Sequence, residues 1–85
     1  LSGQNPPLSC KDIKRALIAL GLAHVRTVGS HEHYTGMFRG RFRLVTVDCP
    51  KAPFSQDLIG SMASQAGLTK KELYAVVRTG MPPKD

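Results

Sequence analysis

Between residues 23 and 47 the chain carries three short β-type runs separated by turn signals, and that spacing leaves little choice of topology. Ala23 to Val28 is β-branched at Val25, Thr27 and Val28, and Gly29-Ser30 interrupts it. A second run goes from His31 to Met37, and a second turn falls around Gly40. The run from Phe42 to Val47, FRLVTV, is the strongest strand signal in the sequence. Turns this short join only antiparallel neighbours, because a parallel crossover needs a dozen or more residues. The segment is therefore expected to form an antiparallel meander. Pro50 and Pro53 end it, since proline has no N–H to offer a central ladder.

Helical signals flank the meander. Ser9 and Asp12 have the spacing of a capping box, followed by Ile13, Ala16, Leu17 and Leu20 on one helical face. Lys11, Lys14 and Arg15 fall mostly on the other side, and Gly21 supplies the stop. A second helix is expected from about Ser55, with a stripe of Ile59, Met62, Ala63 and Ala66 and a stop at Gly67. Thr69 and Glu72 form another capping box, opening a short third helix with Leu73, Val76 and Val77 inward and Gly80 at its end. The expected fold is α+β: helix, three-stranded antiparallel sheet, helix, short helix, in the manner of a double-stranded-RNA-binding domain. Leu17, Val45, Val47, Ile59 and Met62 should share its core, because two amphipathic helices must cover one sheet face. Residues 1–8 read as a flexible arm, 9–80 as the domain and 81–85 as a tail.

Composition bounds the function. The chain has 85 residues, enough for one domain, and 12 Lys and Arg against 6 Asp and Glu give a net charge of +6. Such an excess favours a polyanionic partner, nucleic acid first and an acidic protein second. Two cysteines, Cys10 and Cys49, are too few for a disulfide scaffold and fit no zinc spacing, so two reduced thiols are expected. No run approaches the roughly 18 apolar residues of a membrane span. Leu1 to Leu8 has neither the basic nor the apolar stretch of a signal peptide, so a cytoplasmic protein is expected.

The segment Gly29-Ser30-His31-Glu32-His33-Tyr34 holds the candidate chemistry. Residues two apart on a strand share a face, which puts His31 with His33, and Glu32 with Tyr34 on the other side, Tyr34 being the core candidate. Histidine exchanges protons near neutral pH, as RNA cleavage through the ribose 2′-hydroxyl requires. Two surface histidines are also common without any function, and as a metal site the pair lacks a third ligand, so no metal or other cofactor is expected. Arg39, Arg41 and Arg43, at alternate positions, are expected to form a phosphate-binding row beside the histidines, with Phe38 and Phe42 nearby. Lys70 and Lys71 oppose the dipole at the start of the third helix, which a ligand would explain, although a solvated surface accounts for them as well. Phosphate loops, serine-nucleophile elbows and paired catalytic carboxylates are absent from the sequence.

Three pieces, in order, carry a family resemblance across residues 9–77. They are the first helix with Gly21-Leu22, a strand and then Gly29-Ser30-His31; Val45-Thr46-Val47 with its proline-containing link; and Ser64-Gln65-Ala66-Gly67-Leu68-Thr69. In these the chain resembles the HicA, or YcfA-like, family of bacterial toxins. The resemblance implies a fold like that of double-stranded-RNA-binding domains, cleavage of mRNA without a cofactor, and His31 as the active residue. It also implies a HicB-type antitoxin that covers His31, and a toxin that is monomeric when free. Ser30, His33, Arg39, Arg41, Arg43, Lys70 and Lys71 are the accompanying candidates for RNA contact. Three places depart from the family pattern: Asp57-Leu58-Ile59 stands for its Gly-Thr-Leu, Glu32 for a second histidine, and Val47-Asp48-Cys49-Pro50 for its Val-Pro-His link. A non-catalytic RNA-binding module and a docking domain for an acidic protein are the competing readings, and the effect of removing His31 discriminates among them.

Overall fold

A computed structural model describes residues 5–84. The element order is α1 (Cys10–Ala19), β1 (Ala23–Val28), β2 (His31–Phe38), β3 (Arg41–Asp48), a single 3₁₀ turn (Cys49–Lys51), α2 (Gln56–Ala66) and α3 (Lys70–Thr79). The three strands form one antiparallel sheet in the order β1-β2-β3, as the turn spacing requires. Both capping boxes close: Ser9 Oγ accepts from Asp12 N and Thr69 Oγ1 from Glu72 N, each at 3.1 Å, and both acidic side chains return to the cap backbone. Gly67 and Gly80 end α2 and α3 in the left-handed conformation, with φ of 83° and 71°. The third helix is not short. Its 10 residues equal α1 in length.

The helices lie on one sheet face. α1 and α2 pack on β3, and α3 packs on both helices. Leu17, Val45, Val47, Ile59 and Met62 share one core with Ile13, Leu22, Leu73 and Val76. Tyr34 also belongs there, and burial together with Glu32 as its hydrogen-bond acceptor pushes its hydroxyl up to about 12. Gly36 is fixed by close packing, because a Cβ there would stand 2.8 Å from the Gly21 carbonyl oxygen and 2.9 Å from Leu22 Cδ2. Among the described residues, no helix lies on the opposite sheet face. Met37, Phe42 and Leu44 are exposed at its far end, at 64%, 68% and 48%.

Two expectations are corrected here. The arm is not free at residues 5–8: Leu8 is buried and makes a β-bridge with Phe54, and Tyr74 Oη donates to the Pro6 carbonyl at 2.6 Å. Leu8 finds an apolar seat beside Phe54, which a composition reading of Gly, Pro and Asn overlooks. Residues 1–4 of the arm, and Asp85 of the tail, fall outside the described residues. The cysteines, read as reduced thiols, are joined as a disulfide, with Cα atoms 5.1 Å apart across 39 positions of sequence. The fold brings the start of α1 against the turn after β3, a neighbourhood that cysteine counting does not reveal. Closing a loop of that size contributes about 2–4 kcal/mol by restricting the unfolded chain. Among the described residues, no helix is long and apolar enough to cross a membrane.

Candidate active site

The site is assembled by the β2–β3 hairpin. Arg39 and Gly40 occupy its two-residue turn, with φ of 52° and 76°, as a type I′ turn demands. That turn fixes the pairing Phe38↔Arg41 and so, along the ladder, His33↔Thr46 and His31↔Asp48. Directly opposite residues share a face. His31, His33, Thr46 and Asp48 therefore gather on the helix-free face, at the end of the sheet nearest the 3₁₀ turn.

The hydrogen bonds follow this register. His31 Nε2 lies 3.2 Å from Asp48 Oδ2, and Ser30 Oγ donates to Asp48 Oδ1 at 2.7 Å. The Asp48 side chain is 19% exposed and that of His31 is 55% exposed. Ser30's hydroxyl first, and then the adjacent His31, hold the Asp48 carboxyl below its ordinary value against a partial desolvation. A carboxylate that stays ionised fixes the imidazole ring, the orienting role that an acidic partner plays in hydrolytic triads. His33 Nδ1 lies 3.1 Å from Thr46 Oγ1, tying the second histidine to β3. Glu32 is turned to the core side as expected, where it accepts from Tyr34 and pairs with Lys14 at 3.3 Å.

A cleft of about 230 Å³ opens beside His31, between the β3 edge and α2. Its lining combines the polar Thr46, Asp48 and Lys51 with the apolar Phe54, Leu58 and Met62. Gln65, at the end of α2, uses its Oε1 to accept the edge N–H of Thr46 at 3.1 Å.

The basic candidates do not assemble as expected. The arginine row beside the histidines is not formed. Arg39 lies in the turn, where its guanidinium donates to both carboxylate oxygens of Glu72 at 2.9 and 2.7 Å and to the Gly67 carbonyl at 3.1 Å. Arg43 shares the buried face with Val45 and Val47, donates from Nε to the Phe38 carbonyl at 3.0 Å, and lies where a Cβ on Gly67 would stand. Arg41 is exposed on the same side of β3 as Arg43, away from His31. The alternation that suggested a row also selects a face, and the face is the helical one. Lys70 donates to Gln56 Oε1 at 3.2 Å, and Lys71 is exposed beside it on α3, a different surface from the histidines. Of the aromatic pair, Phe38 packs against the core and Phe42 is exposed.

Arg39 and Glu72 make a testable pair. The Arg39 guanidinium first, and then the Thr69 backbone N–H, hold the Glu72 carboxyl down to about 2 from an ordinary 4.5. A carboxyl lowered in the folded state stabilises it fully above the unfolded value, and loses that contribution as pH falls towards the folded value. Melting temperature should therefore drop between about pH 5 and pH 2. Arg39→Met should lessen that acid dependence. An identical slope in the variant would show that the pair contributes nothing.

Asp48 and Lys51 were not singled out by the sequence reading. A signal for Asp48 existed, because counting seven residues back from Phe38 and seven on from Arg41 brings His31 and Asp48 together. Lys51 carried none, as its place depends on the 3₁₀ turn. Among the described residues, one trio of metal-ligand types lies close together: Cys10, Glu32 and Cys49, two of them joined by the disulfide. His31 and His33 are not in it.

No family model matches the chain, and neither a curated protein nor a solved structure does so.

Proposed function

We propose that this protein is an endoribonuclease of the HicA toxin type, with a fold like that of double-stranded-RNA-binding domains, in which His31 moves the proton. The observation that carries this reading is the exposed imidazole of His31, held at Nε2 by an ionised Asp48 that Ser30 holds in turn. With Nε2 so engaged, Nδ1 is the atom that meets substrate.

The chemistry follows from that arrangement. His31 Nδ1 takes the proton of a ribose 2′-hydroxyl, and the 2′-oxygen attacks the neighbouring phosphorus. The bond to the 5′-oxygen breaks, that oxygen takes a proton from water, and the hydroxide so formed takes the proton held on His31, which restores the neutral imidazole. The products are a 2′,3′-cyclic phosphate and a 5′-hydroxyl. The imidazolium formed in the first step gains from the carboxylate behind it. No step calls for a metal. The net charge of +6 draws the polyanion in, and the same reading places mRNA as substrate and a HicB-type antitoxin over His31.

The test is incubation of the purified protein with a defined RNA in EDTA. Cleavage to 2′,3′-cyclic phosphate ends is expected, with protection of any site carrying a 2′-deoxyribose. RNA that is bound but stays intact would favour the binding-module reading. Cleavage restored only by added metal would replace the proton-transfer mechanism.

A further inference from the structure

The cleft beside His31 has two chemical halves. Phe54 and Met62 are 3% and 6% exposed and, with Leu58, give it an apolar floor. Thr46, Ser61 and Gln65 supply polar groups around that floor, and Asp48, Lys51 and His31 complete the lining. Apolar area with a few convergent polar groups is the usual make-up of a small-molecule pocket. A flat base with polar edges, joined to an anion, matches both halves. Inorganic phosphate would leave the floor unused. Lys51 lines the cleft together with His31 and Asp48 and supplies its cation.

We infer that this cleft seats one nucleotide of the RNA strand, its base against Phe54, Leu58 and Met62 and its phosphate between Lys51 and His31. The inference rests on the endoribonuclease reading and deepens it, because it names what brings the 2′-hydroxyl to His31. Seating the base first converts the attack into an oriented, intramolecular event. It also puts sequence preference in the groups that meet the base edge. Ser61 offers a hydroxyl there, and Gln65 an amide NH₂ whose Oε1 is already committed to Thr46.

The experiment uses the intact protein, with nucleoside 3′-monophosphates as probes because they contain no phosphodiester bond to cleave. Amide resonances of Thr46, Lys51, Ser61 and Gln65 should move on titration, and those of Lys70 and Lys71 should not. Lys51→Ala should weaken the nucleotide about tenfold or more, the loss of a hydrogen bond to a charged group, while leaving the free nucleoside unchanged. Ser61→Trp, a substitution at an exposed position of α2, should fill the cleft and abolish both. Shifts confined to Lys70 and Lys71, shifts produced equally by inorganic phosphate, or unaltered binding in both variants would overturn the assignment. Nucleotide binding in the cleft with no cleavage of RNA would instead remove the endoribonuclease reading and leave the seat in place. Cleavage with an empty cleft would do the reverse.

Discussion

His31→Ala should cleave a defined RNA about 10²–10⁴-fold more slowly than the unaltered protein, the usual loss when a general acid–base group is removed. It should melt at nearly the same temperature. The side chain is 55% exposed, and exposed substitutions away from special contacts usually change stability by less than about 0.5 kcal/mol. The pairing with Asp48 adds little to that sum, because ion pairs at a surface contribute weakly. Binding to RNA should persist, since electrostatic attraction to phosphate does not depend on one imidazole. His33→Ala should be milder, because His33 is engaged with Thr46 and has no carboxylate behind it. Cleavage rates and circular dichroism on the same preparations decide the matter. A well-folded His31→Ala that cuts RNA at the unaltered rate takes the histidine out of the mechanism.

Leu17→Ala should have the largest effect on stability, a loss of about 2–5 kcal/mol. Leu17 is 1% exposed and lies on the face that α1 turns to the core, with Ile13 and Ala16. Truncating its isobutyl group to a methyl leaves a hole that α1 cannot collapse into, because the Ser9 capping box and the Cys10–Cys49 disulfide fix the start of that helix. A domain of this size has on the order of 5–15 kcal/mol in total, so the variant is expected to unfold at much lower denaturant concentration. An unchanged midpoint would show that the α1 face has been misassigned.

Where the determinants are local, the sequence was legible. Ser9 with Asp12 and Thr69 with Glu72 carry their cap partners within three residues, and β1 follows the limits read from its β-branched residues. The core followed because apolar period and burial are one signal seen twice. Legibility failed where partners are distant. Arg39 and Glu72 are 33 positions apart, and no local rule joins a turn arginine to a helix cap. The Cys10–Cys49 pair and the Pro6–Tyr74 contact are of the same kind. Within the site, His31 was visible from the turn before it. The carboxylate that orients it needed the hairpin register, which rests on placing the turn at Arg39 and Gly40. A turn placed only around Gly40 leaves the alternation of Arg39, Arg41 and Arg43 free to run on through it into β3, whereas the observed turn takes Arg39 out of the row.

The seat of Leu8 and Pro6 bears on how the chain is made. Tyr74 stands 68 positions after the carbonyl it holds, and Phe54 belongs to the loop before α2. During vectorial synthesis the segment before α1 emerges ahead of Phe54 and Tyr74, the residues it closes upon. The sheet can pair as soon as β3 has left the ribosome, but this clasp must wait for the third helix. Contacts of such sequence separation slow the search for the native state. The third helix, translated well after the segment before α1, is thus the element that fastens that segment.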